Sequence, residues 1–348
     1  MKLFKGVGEF FALDIGTSSL KMVQLEGDIR RGWSLSKYAY APVDPKVIQD
    51  ESVLGRDKFK DLLKQTVAQA GIKAENVVVG LPASKTFTAV IEAPLQNERD
   101  LMNSVKYQID DYIPMAVDEA KVDYVNLGVS PNDPSKAEVL VSSTANKYAV
   151  AQLELIEATG LNVVAFEPEP IAIARSLMPV GTDAAKLIVD FGWMSADLVV
   201  VYKGAPRLVR SIPGGVDNLV KTVATSLSIS EEQAKQFIVK FGLAQDKADG
   251  QVFRALDMTL EGFANELRKS VEFFQSKYVG AQVDEIILSG FAQMMPLMPE
   301  YIEAKTEIRS VPGNPWQLVR VSGAQQQALM NVASEFAVAI GLAERSNK

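Results

Sequence analysis

Residues 10–27 read FFALDIGTSSLKMVQLEG, and residues 187–204 read LIVDFGWMSADLVVVYKG. Each opens as an apolar strand, reaches Asp-x-Gly, crosses a short turn of small or polar residues, and leaves as an alternating β-branched run ending in Gly. That is the pattern of a β-hairpin with glycine at its tight turn. Placing Asp14 on Asp190 puts Gly16 on Gly192 and Val23 on Val199, at an offset of about half the chain. A unit repeated at that spacing predicts two lobes of related architecture, each built on such a hairpin.

Outward from the first hairpin, the pattern changes. Asn97 precedes a helical periodicity in which Leu101, Val105, Ile109 and Tyr112 share a face, and Pro114 ends it. Strand-like runs at 122–129 and 138–142 flank SPNDPS at 130–135, whose prolines, Asn and Asp mark a loop. A helix over 147–159 closes at Gly160, which suits a left-handed exit. This helix–strand–strand–helix set, residues 95–160, is expected as a small α+β insertion inside a first lobe of residues 1–180. A strand at 161–166 and a helix at 171–177 complete that lobe. The second lobe, 181–323, is expected to carry helices from Val216, over 230–241 and over 251–277. A short strand at 284–288 and a proline-interrupted helix at 294–301 follow. An Ala-rich helix over 325–343 would return to the hinge or first lobe as residues 324–348. Alternating strands and helices predict an α/β fold.

Composition narrows the chemistry. The 348 residues are 47% apolar, enough for a sizeable core, and acids exceed bases by 43 to 36, a formal charge of −7. No basic arm interrupts that balance, which argues against nucleic-acid binding. There is no Cys and no His, so disulfides, thiol catalysis, imidazole acid–base work and His/Cys metal sites are excluded. The start, MKLFKGVG, lacks the apolar core of a signal peptide. No apolar run approaches the roughly 18 residues that span a bilayer. A cytoplasmic protein, reaching a membrane through a partner and without direct insertion, is expected.

Residues 14–21, DIGTSSLK, carry the sharpest local signal. Gly16 permits close approach of backbone to ligand, and successive amides with the Thr17, Ser18 and Ser19 hydroxyls can hold phosphate oxygens. Asp14 can hold a hydrated Mg²⁺, and Lys21 can balance phosphate charge. Alone, this is equally an ordinary polar hairpin turn. Its duplication at Asp190 and Gly192, with Gly214 and Gly215 after Pro213 and with Ser289 and Gly290 at another strand end, supplies the glycine turns that a nucleotide cleft between two lobes needs.

On these residues the sequence resembles the actin-like ATPase superfamily over essentially its whole length. The first hairpin is similar to that superfamily's first phosphate loop, residues 190–192 to its second, and Ser289-Gly290 to its adenosine loop. The helices at 171–177 and 336–343 resemble its two connecting helices. The implied fold is two-lobed, with duplicated sheet-and-helix lobes around a nucleotide cleft, and the implied cofactors are ATP and Mg²⁺, the metal held through water by Asp14 and Asp190. The insertion's position resembles FtsA and PilM rather than actin or MreB. YIP at 112–114, VDY at 122–124, ATGL at 158–161, FEPEPIAIAR at 166–175, IPGG at 212–215 and SEEQA at 230–234 are similar to signatures of the PilM family. The ending ERSNK at 344–348 lacks the amphipathic membrane helix of FtsA-like proteins.

Resemblance to PilM implies a scaffold beneath the inner membrane in type IV pilus assembly, one that binds ATP and other pilus components. It also implies a groove between first lobe and insertion holding the extended N-terminal tail of a PilN-type membrane protein. Ile109, Tyr112 and Ile113 are the candidates for its wall, although their spacing suits burial in the insertion's own core equally. The alternative is an FtsA-like, filament-forming cell-division ATPase. A small-molecule kinase would need Asp197 or Glu169 as base, and neither lies in a sugar-kinase motif.

The pattern also departs from its relatives. Lys235 and Ile238 stand where the resemblance calls for Glu and Lys on the adenosine-facing helix. Trp193 and Met194 replace small residues in the second phosphate loop, and Phe291 follows the adenosine loop, where it could stack on adenine. Each lost charged hydrogen bond costs about 1.5–3 kcal/mol, so at most slow ATPase activity is expected.

Overall fold

The computed structural model describes residues 9–50, 52–178, 181–329 and 332–345. Residues 1–8, which carry the expectation about a signal peptide, and 346–348 of the polar ending lie outside the described residues. The chain divides into two compact units, Met1–Ser176 with Pro315–Lys348, and Leu177–Asn314.

In the first unit β1 (Phe10–Ile15) and β2 (Ser19–Asp28) form the hairpin, pairing antiparallel with Asp14 opposite Lys21. β3 (Gly32–Pro42) continues the meander. The helices α1 (Pro45–Gln49) and α2 (Val53–Ala70) then carry the chain to β4 (Asn76–Leu81), which lies parallel to β1. Ser52 caps α2 by accepting from the Gly55 amide, and left-handed Gly71 releases it. Period-2 alternation puts Phe11, Leu13, Leu20, Met22, Val77 and Val79 on one face of the sheet, where Phe59 and Leu63 of α2 cover them.

β5 (Thr86–Pro94), α3 (Glu98–Gln108), β6 (Ala120–Val129) and β7 (Lys136–Ala145) build a separate three-stranded antiparallel sheet, in the order β5-β7-β6. β5 belongs to it, so the insertion's sheet begins before the expected residue 95; a two-stranded ribbon alone is marginally stable. Asn97 caps α3 by accepting from the Asp100 amide. α4 (Asn146–Glu157) leads to β8 (Asn162–Pro168), parallel to β4, and α5 (Glu169–Leu177) follows.

The second unit contains β9 (Ala185–Phe191), β10 (Ser195–Tyr202) and β11 (Ala205–Pro213). Next come α6 (Val216–Leu227), α7 (Glu231–Phe241) and α8 (Gln251–Lys277). β12 (Val283–Gly290), α9 (Met298–Thr306) and β13 (Ser310–Pro312) finish it. Ser230 and Gln233 form a reciprocal capping box at the start of α7. Leu187, Val189, Leu198 and Leu288 pack against Leu219, Val223, Leu256 and Leu260 in this unit's core.

The repeat extends beyond the hairpins. The strand orders β3-β2-β1-β4-β8 and β11-β10-β9-β12-β13 are the same plan, an antiparallel meander followed by two parallel strands. After the second unit, β14 (Val319–Arg320) adds in parallel to β3, and α10 (Gly323–Leu329) and α11 (Ala337–Ala343) follow. The helix expected over 325–343 is not continuous, because a 3₁₀ turn occupies Ala333–Phe336. Tertiary contacts hold that turn: Trp316 Nε1 donates to the Ala333 carbonyl at 3.0 Å, and Tyr40 donates to Glu335 at 3.0 Å. They override the helix preference of an Ala-rich segment. No helix of the described residues is long and apolar enough to cross a membrane.

Candidate functional site

The first hairpin closes on itself. The Gly16 amide donates to the Ser19 carbonyl at 3.0 Å, and a Cβ on Gly16 would stand 3.1 Å from Lys21 Nζ. Asp14 and Lys21, directly opposite in register, form an ion pair of 2.8 Å while only 3% and 8% exposed. Thr17 and Ser18 are half-buried and Ser19 is buried; the Ser18 carbonyl accepts from the Val43 amide. Tyr40 lies opposite Lys21 on β3. Burial, then the Glu335 carboxylate beside it, push the Tyr40 hydroxyl up to about 12.

The second hairpin differs at the equivalent pair. Where the first sets Lys21 opposite Asp14, the second sets Asp197 opposite Asp190. Burial raises the Asp197 carboxyl above its usual range, partly offset by the Ser211 hydroxyl, which donates to it at 2.6 Å. Ser289 lies beside Asp190 in register on β12, fully buried, and its hydroxyl has no hydrogen-bond partner. Gly290 is left-handed at φ +64°, and a Cβ there would lie 2.9 Å from Asp190 Oδ1. Gly214 and Gly215 also converge here: the Gly214 amide donates to the Met194 carbonyl, and a Cβ on Gly215 would run into the Gly192 carbonyl. The structure therefore brings Asp190, Gly192, Gly214, Gly215, Ser289 and Gly290 together within the second unit.

Three departures acquire physical roles. Lys235 Nζ sits 5.2 Å from the Trp193 ring centre, a cation–π contact. Ile238 is fully buried in the core. Phe291 is 8% exposed within the same core, so its ring is committed to packing and not to adenine. The first amides of α6, at Val216 and Asp217, donate to the Gly192 and Trp193 carbonyls at 3.0 Å and are spent on the hairpin.

A cavity of about 440 Å³ opens in the first unit. Its walls are β6 at 121–125, the Leu140, Ser142 and Thr144 side of β7, α4 at Val150 and Leu153, and β8 at Phe166. Ile171 and Arg175 of α5 and Arg345 also line it. At its polar end Glu167, 4% exposed, accepts from Arg175 Nη2 at 2.5 Å and from Arg345 Nη1 at 2.6 Å.

The residues expected to wall such a groove lie elsewhere. Ile109 and Ile113, 3% and 6% exposed, are packed with Ala137, Val139 and Val141 in the insertion's own core. Those three alternate along β7 with the cavity-lining Leu140, Ser142 and Thr144, so α3 covers the opposite face of the sheet. Tyr112 is 45% exposed and lines no part of the cavity. The helix periodicity located an apolar face correctly but could not say which side of the sheet it would cover. A usable signal was present in FEPEPIAIAR at 166–175, which supplies Phe166, Glu167, Ile171 and Arg175 to the cavity. Arg345 has no comparable local signal.

Comparison with solved structures places the fold. The chain is similar to a chain of a solved PilM–PilN type IV pilus biogenesis complex, with a TM-score of 0.82 and 23% identity, over 98% of this chain and 99% of that one. It is also similar to the ethanolamine utilization protein EutJ from Carboxydothermus hydrogenoformans, with a TM-score of 0.57, 14% identity and coverage of 97% and 89%. MreB5 of Spiroplasma citri bound to ADP gives a TM-score of 0.57 at 12% identity, covering 95% and 94%. The architecture is thus the actin-like α/β fold. The profile of the family described as type IV pilus assembly protein PilM matches residues 12–347, and the chain belongs to that family.

Proposed function

We propose that this PilM-family chain is a scaffold of the type IV pilus machinery that holds the cytoplasmic N-terminal tail of a PilN-type membrane protein in the cavity of its first unit. The observation that carries this reading is a pair of strand edges beside an apolar cavity. Among the described strands, β6 pairs only with β7 and β8 only with β4, and both border the cavity. An extended peptide can add to such an edge through its backbone while alternate side chains enter the apolar pocket. Burying three or four aliphatic side chains contributes about 1.5–3 kcal/mol each. After ordering costs, an affinity near micromolar or tighter follows. The similar solved complex pairs a PilM with PilN, which supports the choice of partner. Membrane association then comes through the tail, and other pilus components dock on the same scaffold.

The test is hydrogen exchange on the full chain with and without a synthetic PilN-type tail. Amides of 120–125 and 163–168 should gain protection. Protection confined to other segments would refute the groove assignment.

ATP with Mg²⁺ is the proposed ligand of the phosphate hairpins. The residues of each hairpin fit on their own terms: Gly16 and Gly290 allow turns so tight that a Cβ would press on neighbouring protein atoms. In the second unit the Ser289 hydroxyl is buried and unbonded, while Asp190, with Asp197 opposite it, offers paired carboxylates for a hydrated Mg²⁺. Lys21 would meet phosphate by exchanging part of its bond to Asp14, and Asp14 would then face the hydrated metal. The Trp193–Lys235 contact and the committed α6 amides argue for slow turnover and a mainly structural nucleotide. Binding of ATP, measured by calorimetry at millimolar concentration, tests this part alone.

A further inference from the structure

The polar end of the cavity and the strand beside the first phosphate hairpin touch opposite ends of one short segment, the 3₁₀ turn at Ala333–Phe336 and α11. At the C-terminal end of α11, the Gly341 carbonyl accepts from Arg175 Nη1 at 2.5 Å. Arg345, two residues past the helix, reaches Glu167 at 2.6 Å, and Arg175 reaches the other Glu167 oxygen at 2.5 Å. Glu167, Arg175 and Arg345 all line the cavity. At the N-terminal end, the 3₁₀ turn leading into α11 presents Glu335, which accepts from the Tyr40 hydroxyl at 3.0 Å. Tyr40 is in register with Lys21, and Lys21 with Asp14, to which it is ion-paired.

Between those ends the helix is held without slack. Ser176 Oγ donates to the Ala337 carbonyl at 2.7 Å, and a Cβ on Gly341 would run into the Ala172 carbonyl of α5. Phe336 is fully buried against Tyr38, Tyr40 and Trp316. Seven residues of α-helix span only about 10 Å, too short to bend, so α11 moves as one body. A peptide entering the cavity offers carbonyl oxygens to Arg175 and Arg345. Any donor it draws away loosens the hold on Glu167 or on the Gly341 carbonyl. A phosphate that draws Lys21 from Asp14 changes the charge beside Tyr40 in the same way at the other end. Two sites that each bias one rigid element are thermodynamically coupled, and the coupling is reciprocal.

We infer that peptide capture in the cavity and nucleotide binding at the Asp14–Lys21 hairpin are coupled through α11, with the Glu167–Arg175–Arg345 network and the Tyr40–Glu335 hydrogen bond as its two contacts. Tyr40 and Glu335 are positioning residues in this scheme. The inference rests on the peptide and nucleotide readings above, and its test separates from both.

The experiment titrates a synthetic PilN-type tail into the full chain, with and without saturating Mg²⁺-ATP, and then ATP with and without saturating tail. The tail Kd should change at least about five-fold with nucleotide, and the ATP Kd by the same factor with tail. Tyr40→Phe should bring that factor close to one while leaving the tail Kd without nucleotide unchanged. If both ligands bind and neither affects the other, the coupling is overturned and both site readings stand. A chain that binds tail but not ATP overturns the coupling and the nucleotide reading alone. A chain that binds no tail overturns the coupling and the groove. Full coupling retained in Tyr40→Phe overturns the route through Glu335.

Discussion

Glu344 offers a sharp physical test of how the C-terminal segment is seated. It follows α11, is 6% exposed, and neither carboxylate oxygen has a hydrogen-bond partner. Burial pushes its carboxyl from the ordinary 4.5 up to about 8, against a smaller opposing pull from Arg175. The folded chain therefore holds this proton more tightly than the unfolded chain does. Its stabilising effect is fully present below about pH 4.5 and is lost as pH rises through about 8. Each pH unit in that window costs about 1.4 kcal/mol, so the total approaches a ceiling of about 5 kcal/mol. Glu344→Gln keeps the shape and removes the titration. The assay is denaturant unfolding of both proteins from pH 5 to pH 8.5. The variant should gain on the parent steadily as pH rises, with the gap levelling off above pH 8. Parallel curves across that range would show that Glu344 is ionised and solvated in the folded chain, and the argument would fail.

Other substitutions probe the remaining links. Gly341→Ala sets a methyl against the backbone carbonyl of Ala172, which no rotamer can relieve. It should lower stability by about 1–3 kcal/mol or more in thermal unfolding. Asp14→Ala takes from Lys21 the carboxylate 2.8 Å away in a buried setting, a loss of about 3 kcal/mol. A clean test of Mg²⁺-ATP affinity therefore uses Asp14→Asn, which should weaken binding in calorimetry with a smaller stability change. Ile109→Asp buries a charge in the insertion's core and should unfold that subdomain, visible as raised protease sensitivity, rather than selectively remove peptide binding.

Much of this was legible because hairpin repeats are local. Asp-x-Gly with alternating flanks identified both hairpins and the two related lobes built on them, while β3, β11 and the duplicated strand order emerged only from the structure. A local signal also found the α3 cap at Asn97, whereas Ser230, read as part of its helix, caps α7 instead. What failed was information carried by distant contacts. The break at Ala333–Phe336 depends on Tyr40 and Trp316, far away in sequence, so an Ala-rich stretch read as one helix. The same limit hid that Ile109 and Ile113 pack in the insertion's own core and not along the cavity. Leu101, Val105 and Ile109 define an apolar stripe from sequence alone, but only the β5-β7-β6 sheet decides which of its faces they cover. Lys235 read as a lost ribose contact, and its pairing with the Trp193 ring emerged only when two segments met.

The central claim is that the cavity bordered by β6 and β8 captures an extended tail. Its most direct test is the affinity of a synthetic PilN-type N-terminal tail for the unmodified chain and for Val150→Asp, a change at a cavity residue on α4 that is 41% exposed, with folding of the variant checked by thermal unfolding. Binding near micromolar or tighter, weakened at least about ten-fold by Val150→Asp, is the expected result, since ten-fold corresponds to about 1.4 kcal/mol and a charge at an apolar wall costs at least that. Absence of binding by the unmodified chain, or equal affinity for both proteins, would contradict the account.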